Sequence, residues 1–231
     1  MASELKTISE TIKPVLSDLG YRRKGNTFYR IVNNLMFCIM VEHPGLYYAE
    51  YHINPLYMPQ NQVYLNYGKR FQAWWDGNGD VTDFISQIVA DIQEEIVPFF
   101  QRINSASSLL SFLQQDHSSV ASYFKCPHFR YSFLAAYTAL MLHDSESFHS
   151  AVSETRQLLS VTTSFARSVV EKIEAELNNL EKIEQFPAAE IDQHFQSQTL
   201  QSLQKLFPKY KKQQSGDGSW INQGINQGTV L

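Results

Sequence analysis

Two-residue alternation governs residues 27–54, and apolar spacings of three and four take over beyond about residue 105. That change of period divides what the chain can become. Successive strand side chains point to opposite faces of a sheet, whereas a three-four spacing lines one side of a helix. The expected fold class is therefore α+β: an N-terminal antiparallel sheet flanked by helices, followed by a C-terminal antiparallel helical bundle. The expected division is a sheet domain over 1–104, a helical bundle over 105–208 and a flexible tail over 209–231. The tail is rich in Gly, Ser, Asn and Gln and carries INQG twice in succession, too little apolar surface to order itself.

Local signals place the elements. Leu5, Ile8, Ile12, Leu16 and Leu19 form one stripe of a first helix, kinked or restarted at Pro14, and Gly20 follows as a left-handed cap. Gly25-Asn26 is a turn dipeptide. The runs TFYRIV and LMFCIMV flank Asn33-Asn34, residues that tolerate the positive φ a two-residue hairpin turn demands. A third strand, LYYAEYHIN, follows Pro44-Gly45. Its alternation puts Tyr47, Ala49, Tyr51 and Ile53 on a core face, and Tyr48, Glu50, His52 and Asn54 on a wetter one. A fourth strand or edge segment is expected at Gln62 to Gly68. After Trp74-Trp75 and the loop DGNGD, Asp80 or Thr82 can cap a helix with the stripe Phe84, Ile85, Ile88, Val89, Ile92 and Ile96, ended by Pro98.

In the second half, Leu109, Leu110, Phe112 and Leu113 start a short helix, and Phe129 to Met141 a longer one ending at His143-Asp144. A run from Phe148 to Leu180 is expected to break near SVTTS, where Ser and β-branched residues are poor helix formers. Ile191 to Leu206 makes the last helix, closed by Pro208.

With 231 residues, 43% hydrophobic and 13% aromatic, the chain can bury a core without covalent staples. Two cysteines, Cys38 and Cys126, make no disulfide framework, which suits a reducing compartment and a cytoplasmic location. No secretory signal is expected in MASELKTISETIKP, whose charges interrupt any apolar centre. The longest apolar run, Leu35 to Val41, falls far short of the roughly 20 residues a membrane span requires. A net charge of -4 argues against general attraction to nucleic acid or anionic lipid.

Several groups of residues invite a chemical reading. The cluster Arg22, Arg23 and Lys24, with Arg30 on the next strand, could hold phosphates while Tyr29 stacks on a base. Its plain counterpart is a solvated turn that guards a sheet edge. Asp76, Asn78 and Asp80 have calcium-loop spacing, but Val81 and Gln87 stand where that loop needs Gly and Glu. Cys126, His128, His117, His143 and His149 lack zinc-finger spacing, so neither a metal nor a cofactor is expected. Glu50 and His52 share a strand face about 7 Å apart and are the best acid-base candidates, although GxSxG, HExxH and phosphate-cradling glycine loops are lacking. Tyr47, Tyr48, Tyr57, Trp74 and Trp75 are residue types enriched at interface hot spots.

TIKPVLSDLGYRRKGNTFYR resembles the opening of a bacterial family known as domain of unknown function 4304, which starts with a helix, a Gly-aromatic-basic turn and an NTFYR-like strand. The likeness runs through HIN to VPFF, about the first half of the chain, and VEHPG departs from the family's Gln-Lys-Ser-like stretch. It implies an α+β domain and supplies no activity or catalytic residue. The expectation for function is a non-catalytic binding protein, an accessory or immunity-like factor engaging a protein partner, with Arg22, Arg23, Lys24, Arg30, Tyr48, Trp74 and Trp75 as candidate binding residues. The alternatives are a hydrolase using Glu50 and His52, or nucleic-acid binding through the basic turn.

Overall fold

The stripe read from the first residues becomes helix α1 (Ala2–Asp18), with Ile8, Ile12 and Leu16 fully buried. The computed structural model describes residues 2–59, 67–162, 165, 167–207, 213–214 and 220–221. Pro14 lies inside α1 without ending it. The stop comes at Gly20, whose φ of 80° allows the Gly20 amide to reach the Ser17 carbonyl and the Tyr21 amide the Leu16 carbonyl. This pair of bonds is the Schellman closure, which satisfies carbonyls that a helix end otherwise leaves open.

Five antiparallel strands follow in sequence order: β1 (Arg22–Lys24), β2 (Thr27–Val32), β3 (Leu35–Glu42), β4 (Tyr47–Pro55) and β5 (Gly68–Trp75). Asn33 and Asn34 both take positive φ, 47° and 66°, as the tight β2–β3 turn requires. Two strands correct the reading of the sequence. The basic stretch after Gly20 is a short edge strand, because pairing with β2 supplies the order that its own composition lacks. The fourth long strand starts at Gly68, and the Gln62–Asn66 part of the segment expected there lies outside the described residues.

One sheet face packs on α1 and on a long helical segment made of α2 (Thr82–Asp91), a π-helical turn (Ile92–Ile96) and α3 (Val97–Arg102). Asp80 Oδ1 accepts from the Thr82 amide at its start. Pro98 does not end this segment. The π turn takes the Val97 amide to the Ile92 carbonyl, so Pro98 falls in the first turn of α3, where its missing donor leaves no bond unmade. Phe28, Phe37, Ile39, Tyr51, Ile88 and Phe100 meet in this layer, and burial of such side chains is worth about 1.5–3 kcal/mol each.

The second half is helical: α4 (Ala106–Leu113), α5 (His117–Tyr123), α6 (His128–Met141), α7 (Ser145–Val161), α8 (Arg167–Glu184) and α9 (Ala188–Leu206). α7 ends at Val161, inside the SVTTS stretch, and the rest of that stretch past Thr162 lies outside the described residues. The α5 sequence, HSSVASY, has no apolar stripe to announce it, and Asp116 caps it by accepting from the Ser119 amide. The apolar core is continuous across residue 104. Phe99 stacks on Tyr123 at 4.0 Å, the Tyr51 hydroxyl donates to the Tyr123 carbonyl, and the Tyr57 hydroxyl meets that of Thr138 at 2.9 Å. No helix among the described residues is long and apolar enough to cross a membrane. The tail expected over 209–231 lies outside the described residues, except that Gln213–Gln214 pairs with Trp220–Ile221.

Candidate functional site

The site begins with the alternation of β4, which sends Tyr48, Glu50, His52 and Asn54 to the sheet face opposite α1. Cross-strand register adds Met36, Cys38, Met40 and Glu42 from β3, and Arg70 and Trp74 from β5. Arg22 and Lys24 lie on the same face at the far edge, because Arg22 pairs with Tyr29 and Tyr29 with Cys38. Arg23 and Arg30 point the other way, opposite Phe28 and Phe37. The four cations read as one cluster are thus split between two faces.

This face was expected to be wet, yet every residue of β4 is buried. Part of the cover is α9, whose last turn returns to the sheet. Leu203 and Leu206 pack on Met36, Cys38 and Leu56, and Phe207 lies 4.7 Å from the Tyr29 ring. Lys24 Nζ donates to the Leu206 carbonyl at 2.6 Å, a cation at a helix C-terminus. Lys24 is therefore engaged within the protein, as is Arg23, which pairs with Glu10 at 2.6 Å.

Beyond α9 the face carries a charged network. Arg70 Nη2 donates to the Tyr48 hydroxyl at 2.9 Å, and that hydroxyl donates to Glu42 Oε2 at 2.8 Å. The Arg70 guanidinium sits 3.9 Å above the Tyr48 ring, and its Nε is 3.8 Å from Glu50 Oε2. Glu50 Oε1 and His52 Nε2 are 3.7 Å apart, too far for a hydrogen bond. Glu50 is 8% exposed and His52 2%. Glu50 Oε1, His52 Nε2 and Asn54 Oδ1 are all buried without a hydrogen-bond partner among the described residues.

Burial sets the protonation of these groups. It pushes the Glu50 carboxyl up to about 6, with the nearby Glu42 charge adding to the rise and Arg70 opposing it. It pushes His52 down to about 4, so at neutral pH an anionic carboxylate faces a neutral imidazole. Burial also pushes the Cys38 thiol up to about 12, which removes it as a nucleophile.

At the open end the strands fall out of step. β5 runs from Arg70 to Trp74 while β4 runs only from Glu50 to Tyr48, a bulge that re-aims the β5 side chains. Trp74 is 63% exposed. Leu46, just before β4, is 44% exposed, and the Arg70 side chain 62%. The other aromatics read as surface candidates are not at the surface. Tyr47 and Tyr57 are core residues, and Tyr48 is buried beneath Arg70. Trp75 turns to the helix-covered face, 4.9 Å from Tyr47, with Nε1 donating to the Asn78 carbonyl at 2.6 Å.

Sequence reasoning found Glu50, His52, Tyr48 and Trp74 but missed Arg70 and Glu42, which complete the network. Only the register of β5 against β4 brings Arg70 to Glu50. The loop residues with calcium spacing close on themselves, with Asp76 accepting from the Asn78 amide and Asp80 from the Thr82 amide. Clefts lined by described residues lie around Tyr21, Leu19 and Val97, and neither Glu50 nor His52 lines them. The chain matches no family model, no curated protein and no solved structure at a significant level.

Proposed function

We propose that this is a non-catalytic cytoplasmic binding protein, an accessory or immunity-like factor, that engages a protein partner through the Trp74 end of the sheet. The observation that carries this reading is the exposure of Trp74 beside Leu46 and Arg70. Among the described residues four large hydrophobics are exposed, and two of them, Leu46 and Trp74, lie at this end of the sheet, where Trp74 pairs with Tyr48 two residues after Leu46. A tryptophan flanked by an arginine is the composition of an interface hot spot. Arg70 adds direction: beyond its bond to Tyr48 and its ion pair with Glu50 the side chain stays largely exposed, so the partner fits by placing an apolar side chain on Trp74 and a carboxylate on Arg70.

Affinity capture from native lysate with the wild type and with Trp74→Ala is the test. A stoichiometric partner is expected with the wild type, and its affinity is expected to fall at least about tenfold in the variant. Circular dichroism should be unchanged, since so exposed a side chain contributes little to the core. The reading fails if no stoichiometric partner is retained, or if the variant holds it as tightly as the wild type.

A second reading, acid-base hydrolysis by Glu50 and His52, is favoured by a carboxyl whose proton is held near pH 6 beside a neutral imidazole. It requires a turnover that both Glu50→Gln and His52→Gln abolish. The burial of both groups away from the clefts weighs against it. The nucleic-acid reading loses its footprint once Lys24 and Arg23 are engaged internally and the cations divide between faces.

A further inference from the structure

Arg30 has no role in that surface. It projects from β2 on the helix-covered side, at the rim of a cleft between the end of α1, the edge of the sheet and α3. Among the described residues no carboxylate pairs with its guanidinium and no acceptor takes its N–H groups. The turn at Gly20 fixes where it lies. A side-chain carbon at Gly20 would stand only 3.8 Å from Arg30 Nε and 3.9 Å from Cδ, so the arginine stem runs along the face of that glycine.

The cleft has a cavity volume of about 80 Å3 and is open to solvent on one side. Leu19, Val32, Phe37, Val97 and Phe100 give it an apolar wall, and Gln101 and Asn104 complete the lining with two carboxamides. Tyr21 also lines it, nine-tenths buried, with a hydroxyl that has no hydrogen-bond partner among the described residues. One unpaired guanidinium and one unpaired phenol beside an apolar wall suit a ligand with a single negative charge, an acceptor pair and an apolar body, and Gln101 and Asn104 leave room for a polar substituent on that body. A phosphate would want more cations, but Lys13 and Arg23 both pair with Glu10, and Arg22 lies on the opposite face of the sheet.

We propose that this cleft binds a small monocarboxylate with an aromatic or aliphatic body, its carboxylate on the Arg30 fork and within reach of the Tyr21 hydroxyl. A planar carboxylate matches the guanidinium edge with two parallel bonds, and the apolar body displaces water from the Leu19 and Val97 walls.

Benzoate is the probe, with the neutral benzamide as its near-isostere, followed by ligand-observed NMR on the full chain. Saturable benzoate binding is expected, weakened at least about tenfold for benzamide and by Arg30→Gln, since each change removes the charge-assisted pair. Val97→Asp supplies a second arm that keeps Arg30 and spoils the wall, and should also abolish binding. Inorganic phosphate should not displace benzoate. No saturable binding, equal binding of benzamide, or benzoate binding that survives Arg30→Gln would each overturn the proposal.

Discussion

Gly68→Ala should destabilise the protein by more than about 3 kcal/mol, at the far end of what single substitutions do. A Cβ built on Gly68 would stand 1.7 Å from the Tyr51 carbonyl oxygen, 2.7 Å from its carbon and 2.9 Å from the His52 Cα. These are backbone atoms of the neighbouring strand β4, so no rotamer change relieves the clash. The strands must part, and with them go the bond from the Ile53 amide to the Tyr67 carbonyl and that from the Lys125 amide to the Gly68 carbonyl, both 2.9 Å. The second of these ties the helical half to the sheet. Because β5 carries Arg70 and Trp74, the proposed docking surface should be lost with the stability. Gly25→Ala is the control: a Cβ there meets nothing within 4 Å, and its φ of 63° predicts a cost of about 1 kcal/mol. Urea unfolding of both variants decides the matter, and a Gly68→Ala protein within about 1 kcal/mol of wild type would show that β4 and β5 are not packed this closely.

That same strand shows where the sequence was readable and where it was not. Features whose cause is local could be read directly: the glycine stop at Gly20, the Asn33-Asn34 turn, the break between α7 and α8, and the alternation that puts Glu50 and His52 on one face. β5 could not, because its bulge breaks the alternation just where Trp74 turns outward. β1 is three charged residues made into a strand by their neighbours. The continuation past Pro98 depends on a π turn that no spacing rule marks.

The candidate site divides in the same way. Strand geometry assigns its residues to a face, but part of the burial of that face comes from α9, which closes on Lys24 across 182 residues of chain. A pattern read over a dozen residues holds no information about such a partner. This is why the sheet face looked wet, and why Tyr47 and Trp75 looked available when they pack together against Phe84.

The buried Glu50 and His52 make the pH dependence of stability a direct probe of this face, because the two groups pull in opposite directions. Glu50 is held above its ordinary value, at about 6. A raised carboxyl favours the fold in its protonated form, so its contribution is present below about pH 4.5 and lost as the pH rises through 6, a change of about 2 kcal/mol. His52 is held below its ordinary value, at about 4. Its contribution is present above about pH 6.5 and lost as the pH falls through 4, a change of about 3 kcal/mol. The charged and titratable groups facing them are Glu42 and Cys38 from β3, Tyr48 from their own strand and Arg70 from β5. Between pH 4 and 6.5 the two effects largely cancel in the wild type. Glu50→Gln removes the first, and stability should then climb by about 3 kcal/mol across that window as the pH rises. His52→Gln removes the second, and stability should instead fall by about 2 kcal/mol over the same range. Urea midpoints at several pH values across the window read the slopes. Opposite signs in the two variants would place both groups in a dry layer of this face, and parallel profiles would mean that water reaches them.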